Sequence, residues 1–221
     1  MQKHSRAVTL LLTSALTWGA CNNNPAAGKP VAKVSAASEP AALSSETLGS
    51  ATAATKYVFS NAGSKIEFVG AKVTRQHEGA FHVFSGAIEL VEGSIARSVI
   101  VADIATASLT TDDPKLTEHL KSADLLDVVK YPKASFRSTS IASGGGAGAT
   151  HTVTGRLELH GVARSISFPA KVKLTADHIE ADAEFALDRR DFGVVYPGMP
   201  DDLIKDLVLL KLRIRGMKMP R

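Results

Sequence analysis

Apolar and polar residues alternate through most of the chain after residue 56. The alternation is clear in eight runs: 65–68, 86–90, 152–154, 156–159, 165–168, 171–174, 178–185 and 210–215. Because consecutive side chains of a strand point to opposite faces, each run predicts a strand with one apolar and one solvated face. Sequential strands of this kind close into a barrel or stack as a sandwich.

Short turn signals separate the predicted strands, at residues 61–63, 92–94, 160–161 and 176–177. Residues 143–149 read SGGGAGA, but they lie between two strand patterns, contain no lysine and precede no helix. They therefore predict a hairpin tip and exclude a P-loop for phosphate binding.

Two segments interrupt the strand pattern, at 112–128 and at 200–205. In residues 112–128, Pro114 suits a first helical position, and Leu116 and Leu120 share one helix face because they are four residues apart. The candidate N-caps are Thr111, Asp112 and Asp113. The sequence predicts an all-β protein, a single antiparallel barrel of about eight strands, with short helices inserted around 114–128 and 200–205.

The N-terminus has the pattern of an export signal. Lys3 and Arg6 precede about ten mostly apolar residues, 7–16, a run too short to span a bilayer. Cys21 is the only cysteine, and it follows Gly19 and Ala20, a context that resembles the lipobox of bacterial lipoproteins. We expect a signal peptide at 1–20, lipidation of Cys21 and a location on the periplasmic side of the envelope, lipid-anchored to a membrane.

Residues 22–55 are rich in alanine, serine, threonine, asparagine and proline and contain no aromatic residue. Such a segment buries too little apolar surface to offset its ordering entropy, so the sequence predicts a disordered linker. The expected organisation is a signal peptide at 1–20, a lipidated cysteine and linker at 21–55, a barrel domain at 56–216 and a tail at 217–221.

The formal net charge of +4 is concentrated outside the predicted domain. Residues 57–215 hold 19 lysines and arginines against 20 aspartates and glutamates. A near-neutral domain without a basic run offers no electrostatic footprint for phosphates, which argues against nucleic-acid binding.

A barrel of about eight strands either fills its centre with side chains or holds one small ligand. The single tryptophan lies in the predicted signal, and many inward positions are alanine, valine or isoleucine, which leaves room for a cavity. The candidate ligand-binding residues are Phe68, Phe81, Ile88, Leu116, Leu120, Leu126, Leu157, Leu159, Phe168, Phe185 and Arg189. Further inward positions are Ile66, Val83, Leu90, Val153, Ile166 and Leu187.

The polar residues predict no catalytic residue, metal or cofactor. The histidines form no HxH or HExxH pair; His160 is expected to bond a turn backbone, and His77 and His82 to be solvated. Arg189, Arg190 and Asp191 form a polar cluster that suits a structural ion pair between an arginine and the aspartate, or one arginine reaches a ligand head group at the cavity mouth. The aspartate pairs at 112–113 and 201–202 suit helix caps.

Three motifs in order carry a family resemblance: LTEHLKSADLLDVVKYPKASF at 116–136, GRLELHGVARSISFP at 155–169 and LDRRDFGV at 187–194. They resemble the YceI-like family of secreted lipid-binding barrels, in which HLKSxDFFDVxKYPxAxF precedes GxLTLHGVTRxV and R-x-DFG. Leu125-Leu126 replaces the family's usual aromatic pair, and 194–200 is a longer insert after DFG than many members carry.

The resemblance implies a lipocalin-like barrel that carries a polyisoprenoid or fatty-acyl amphiphile in the periplasm and has no catalytic machinery. Barrels with open mouths often pair, so a homodimer is compatible with the sequence. Two alternatives stay open: a structural or stress-associated interaction module with a filled core, and an enzyme with a dispersed site such as His160, Arg189 and Asp191.

Overall fold

A computed structural model describes residues 24–37, 54–146 and 148–220. The longer strands are β2 (Ala54–Ser60), β3 (Lys65–Ala71), β4 (Gln76–Phe81), β5 (Phe84–Val91), β6 (Ser94–Ala105), β8 (Lys133–Ser143), β9 (His151–Leu159), β10 (Val162–Leu174), β11 (His178–Asp188) and β14 (Leu207–Lys218). The short ones are β1 (Lys33–Ala36), β7 (Leu109–Thr111), β12 (Gly198–Met199) and β13 (Asp202–Leu203). The predicted all-β barrel is confirmed.

Eight strands form the barrel wall in chain order, each beside the next. Three of them are interrupted: β2 continues into β3, β4 into β5, and β6 into β7 through a 3-10 turn at Thr106–Ser108. The wall closes because β14 pairs antiparallel with both halves of the first strand, Met217 opposite Val58 and Leu210 opposite Phe68. A closed wall leaves no long unpaired sheet edge.

The buried core divides into two clusters inside this wall. One contains Phe168, Phe185 and Phe192, and the other contains Tyr57, Phe59 and Ile88. Partly buried residues touch both clusters: Ile95, Ile100, Leu159 and Val172. The interior is therefore a shell of apolar side chains and not one solid core.

The two ends of the barrel differ. One end carries tight hairpins, such as the turn at Glu92 and Gly93, and the glycine-rich tip between β8 and β9, as the sequence predicted. The other end, which we call the open end, carries helix α1 (Pro114–Lys121), the turn at 72–75, the turn at 160–161 and the long connection 189–206. Within the described ranges, no helix has the length and apolar character needed to cross a bilayer.

Helix α1 begins as the sequence predicted. The carboxylate of Asp113 accepts hydrogen bonds from the backbone N–H of Lys115 at 2.8 Å and of Leu116 at 3.3 Å, and Pro114 occupies the first turn. These bonds, the one from Leu116 first, lower the pKa of the Asp113 carboxyl below its ordinary value. The helix ends at Lys121, and residues 123–126 and 128–130 form turns, so the helical part is shorter than the predicted 114–128.

The predicted helix at 200–205 was wrong. This segment forms the hairpin of β12 and β13 instead, with Gly198 in the left-handed region at φ 88°. The Asp202 carboxylate accepts hydrogen bonds from the backbone N–H and hydroxyl of Thr74, so it ties two loops together and does not cap a helix.

The prediction of a disordered linker was wrong for residues 24–37. Strands β10 and β11 pair with each other only through 171–174 and 179–182, and they separate towards the open end. Strand β1 fills the gap: Lys33 lies opposite Ser167 and Ala36 opposite Arg164. On the β11 side, Ala32 and Pro30 exchange backbone hydrogen bonds of 2.8 Å with Ala186.

Burial explains why this polar segment is ordered. Ala32 is only 6% exposed within the core cluster of Phe168 and Phe185, and Val34 packs against the same cluster. Small side chains suit a narrow slot, and the unpaired backbone groups of two separated strands supply the hydrogen bonds. The remainder of the expected linker lies outside the described residues from 38 to 53, and residues 54 and 55 already belong to β2.

Candidate functional site

An apolar cavity of about 350 Å³ lies inside the barrel and reaches the open end. All eleven candidate residues of the sequence line it: Phe68, Phe81, Ile88, Leu116, Leu120, Leu126, Leu157, Leu159, Phe168, Phe185 and Arg189. The volume falls within the range of about 300–1,000 Å³ typical of small-molecule sites. A core filled by its own side chains, one of the alternatives from the sequence, does not fit this interior.

Some further inward predictions need correction. Ile66, Val153, Ile166 and Leu187 line the cavity as expected. Val83 is 59% exposed because it lies at the break between β4 and β5, where the alternation of faces is interrupted. Leu90 is buried but is not among the residues that line the cavity.

Polar side chains are rare in the cavity lining and lie almost entirely at its open end. Lys72, His77 and Arg189 stand on the elements that surround the mouth, and Ser98 is the remaining polar side chain among the described lining residues. The Ser98 hydroxyl donates to the carbonyl of Ser94 at 3.1 Å, so it is already satisfied. The deep part of the cavity offers a ligand apolar contacts.

Three glycines keep phenylalanine rings flat against the wall. Phe68 lies over Gly79, Phe59 over Gly86, and Phe136 over Gly155, in each case across to the neighbouring strand. A methyl group at any of these glycines would collide with the ring. The rings therefore cover the backbone of the barrel wall at these glycines, and they leave the centre of the barrel free. An isolated glycine inside a strand pattern is the sequence signal for such a close approach.

The leucines of α1 and of the turns after it close one side of the mouth. Leu116, Leu120, Leu125 and Leu126 all line the cavity, and Leu125 is only 3% exposed. The segment therefore covers part of the open end as a lid and does not pack on the outside of the sheet. The helix is held in place by the Thr117 hydroxyl, which accepts a hydrogen bond of 2.8 Å from the backbone N–H of Thr111.

Arg189 lines the cavity, but its guanidinium serves the fold. It donates to the carbonyl oxygens of Val194 at 2.6 Å and Lys205 at 3.2 Å, and it pairs with Asp206 at 3.2 Å. Burial lowers the pKa of Arg189, and the charge of Asp206 opposes that shift. The structural alternative for this arginine is therefore the one that the geometry favours, because its donors are directed at the connection 194–206.

His77 is a residue that the sequence reasoning missed. It was expected to be solvated, but it lies within β4, lines the cavity and has a side chain only 12% exposed. Its Nδ1 lies 2.9 Å from a carboxylate oxygen of Asp112. The alternation from Phe81 through Gly79 to His77 places all three on the inward face, and that pattern was the available signal.

The residues of the dispersed enzyme site, which was the alternative from the sequence, are His160, Arg189 and Asp191, and each contacts a different group. His160 Nδ1 lies 3.1 Å from the carbonyl oxygen of Phe192, in agreement with the predicted bond to turn backbone. The backbone carbonyl of Asp191 accepts from Arg164 at 3.1 Å, while Arg189 is directed into the connection after it. Among the described residues, no three histidine, cysteine or acidic side chains gather in a geometry for a metal ion.

The YceI-like domain matches residues 57–215, which is the whole of the barrel apart from its first and last few residues. This chain belongs to the YceI-like family. A UPF0312 protein of Pseudomonas putida is 34% identical to it over 146 residues, 63% of this chain and 73% of the relative. A UPF0312 protein of Pseudomonas fluorescens is 30% identical over 146 residues with the same coverage.

Solved structures of other proteins are similar to this barrel. The crystal structure of BcnA from Burkholderia cenocepacia has a TM-score of 0.61 at 26% identity, covering 70% of this chain and 97% of that one. A polyisoprenoid binding domain from Saccharophagus degradans, implicated in plant cell wall breakdown, has a TM-score of 0.58 at 18% identity and covers 74% and 98%. The second likeness concerns the fold alone.

Proposed function

We propose that this YceI-like protein binds or carries a long-chain apolar amphiphile of the polyisoprenoid or fatty-acyl type, with its chain in the barrel cavity. One observation carries the proposal: the polar side chains of the lining gather at the mouth, where Lys72 and His77 lie, and the deep wall is apolar. Such a wall suits a chain that enters tail first and leaves its head group at the open end.

Affinity in such a site comes from burial of the chain. Apolar area removed from water contributes about 25 cal/mol per Å², and each methylene contributes about 0.8 kcal/mol. Neighbouring chain lengths therefore differ little in binding free energy, and we expect the protein to accept a range of lengths.

We propose a binding role and no catalysis. The proposal is supported by the partners of His160 and Arg189, both of which bond backbone carbonyls away from the deep cavity. We further propose that residues 1–20 direct export and that Cys21 carries a lipid anchor on the periplasmic side of the envelope. The apolar run at 7–16 and the small residues before Cys21 support this location. The homodimer stays a prediction.

The test is to purify the protein from its own host, extract it with organic solvent and identify co-purified lipids by mass spectrometry. We expect a long-chain amphiphile in stoichiometric amount. The Ala183→Phe variant places a ring into the cavity, because Ala183 is part of its lining. It should lose the lipid and the binding of a fluorescent fatty acid such as cis-parinaric acid.

Ala142→Phe is the matched control, because Ala142 lies on β8 with an exposed side chain. It should retain both the extracted lipid and the fluorescent probe. An empty wild-type protein that also fails to bind the probe would refute the proposal, as would an Ala183→Phe variant that binds as well as the wild type.

A further inference from the structure

Exposed apolar side chains concentrate around the mouth of the cavity. Half of the large hydrophobic residues that the described chain exposes lie on loops of the open end: Val73, Val129, Val195, Met199 and Leu203. Val195 is 64% exposed and Met199 59%. Val73 belongs to the turn 72–75, which we call the rim turn, and Val195, Met199 and Leu203 lie in 194–206, which we call the flap.

Backbone bonds fix the flap and the rim turn to each other. Val73 donates to the carbonyl of Leu203 at 3.1 Å, and Lys205 donates to the carbonyl of Ala71 at 2.8 Å. At its other side, the flap contacts helix α1, where the rings of Tyr196 and His119 meet edge to face at 4.9 Å. The exposed apolar side chains are thus held in defined positions beside the mouth and are not scattered on a loose loop.

The charges of this surface are arranged so that its carboxylates are largely neutralised. Asp202 pairs with Lys72 at 3.4 Å, and Asp206 pairs with Arg189 and Arg190, each at 3.2 Å. Arg75 on the rim turn and Lys205 on the flap are exposed, and so is one acidic residue, Asp201. Two exposed cations next to apolar tips suit an interface with phosphate head groups above hydrocarbon.

We propose that the flap and the rim turn dock on the surface of a lipid bilayer, with Met199, Leu203 and Val73 among the head groups and Arg75 and Lys205 against lipid phosphates. The inference rests on the proposed function, because docking places the cavity mouth against the source of its ligand. A lipid chain that passes directly between bilayer and cavity avoids water. Each methylene that is kept out of water favours the transfer by a factor of about four.

The test measures the partition of the protein onto vesicles of phosphatidylethanolamine and phosphatidylglycerol by co-sedimentation. Every sample is the expected mature chain, from residue 21 onward, with Cys21→Ser, so that neither the apolar run at 7–16 nor an acyl anchor contributes to binding. We expect the Met199→Ser/Leu203→Ser variant to bind vesicles at least about tenfold more weakly than the Cys21→Ser parent.

Leu174→Ser/Met217→Ser is the matched control, because it removes the same two residue types from the opposite end of the barrel, where they are 37% and 48% exposed. It should partition like the parent. Equal partition of the flap variant and the parent would overturn the inference, and so would a parent that does not bind vesicles at all.

Binding of cis-parinaric acid in vesicle-free solution separates this inference from the proposed function. Parent and flap variant should bind the probe equally, because Met199 and Leu203 do not line the cavity. Probe binding without vesicle binding would refute the docking surface alone, whereas vesicle binding without probe binding would refute the cavity function.

Discussion

Arg189 shows how a residue in a cavity wall can serve the fold. Its side chain is only 9% exposed, and its donors satisfy backbone carbonyls of a connection that has little secondary structure of its own. Buried carbonyl groups without a donor are costly, so a long irregular connection needs a side chain of this kind.

Replacing Arg189 with methionine should destabilise the protein by about 2–4 kcal/mol, because it leaves the carbonyls of Val194 and Lys205 without their donor and removes one of the two cationic partners of Asp206. Arg190→Met is the control, since Arg190 is exposed and pairs with Asp188 and Asp206 at the surface, where a pair contributes about 0–1 kcal/mol. Urea denaturation checks both values. Equal losses in the two variants would contradict the structural role of Arg189.

Asp188 should give the protein a pH-dependent contribution to stability. Its carboxylate accepts from the side chain of Arg190 at 2.7 Å and 3.1 Å and from its backbone N–H at 2.9 Å. The side-chain bond is the main cause that lowers the pKa of Asp188 below 3.8. A lowered folded pKa means that the contribution is complete above pH 3.8 and is lost as the pH falls through the folded pKa.

The measurement compares the urea midpoints of the wild type and Asp188→Asn from neutral to acidic pH. The wild type should be more stable at neutral pH, and the difference should shrink below pH 3.8, where its own carboxyl becomes protonated. A difference that is independent of pH would show that the ion pair is not its cause.

At the residue scale, the sequence predicted inward positions well where alternation is regular. Phe168 and Leu157 were placed correctly because β10 and β9 alternate without interruption. Val83 was misplaced because a break in the strand changes the face, and His77 because its chemistry suggested solvent. Alternation indicates which face of the sheet a residue lies on. This assignment holds over many residues only where the strand is unbroken.

At the scale of elements, the pairs of phenylalanine and glycine make a testable claim about the cavity. Gly155→Ala would place a methyl group against the ring of Phe136 and 2.6 Å from the carbonyl oxygen of Arg137. We expect a loss of about 1–3 kcal/mol in unfolding free energy and weaker binding of a cavity probe, since the ring must move towards the centre.

Gly63→Ala is the control for this substitution, because Gly63 lies in a turn with open space around it. It should change the unfolding free energy by less than about 0.5 kcal/mol. If both alanine variants were equally stable, the close approach of Phe136 would not be a constraint on the wall.

Strand β1 can be tested as a separate element of the wall. Ala32→Asp places a charge where the side chain is only 6% exposed, so β1 should leave the slot between β10 and β11. The amides that β1 protects on β10, around Ser165 and Ser167, should then exchange faster with deuterium, while those of β5 should not. Ser35→Asp lies on the exposed face of the same strand and should leave the exchange unchanged.

The sequence predicted helix α1 but not β1 or the hairpin of β12 and β13. Helix α1 has local signals, Pro114 and the cap Asp113, that act within one turn. Strand β1 has none, since it forms only because two distant strands separate and leave backbone groups to pair. Asp202 was taken for a cap because its distant partner Thr74 is not visible in the local sequence.

At the scale of the whole molecule, the described part of the barrel encloses an apolar cavity that reaches the open end. A ligand that binds the folded state alone stabilises it by mass action, about 2.7 kcal/mol at a free concentration one hundred times its Kd. We therefore expect solvent-extracted protein to melt at a lower temperature than protein as purified, and to regain the difference when a long-chain amphiphile is added back. An identical Tm for extracted and loaded protein would argue against occupancy of the cavity.

At this scale the sequence predicted most of the architecture, because eight alternating runs and tight turns leave few ways to bury one face of each strand. An open interior could not be predicted from alternation, which shows that a face is apolar but not how closely opposite walls approach. Flat rings over Gly79, Gly86 and Gly155 decide that distance, and they depend on register between strands.

The position of β1 between β10 and β11 sets the distance between the barrel and any group attached near the N-terminus of the chain. With residues 24–36 in the slot, an attachment at Cys21 is only a few residues from the protein surface. An extended chain spans about 3.3–3.6 Å per residue, so release of residues 24–36 from the slot would add up to about 45 Å to that distance. A variant that releases β1 should therefore place the barrel farther from any group attached at Cys21.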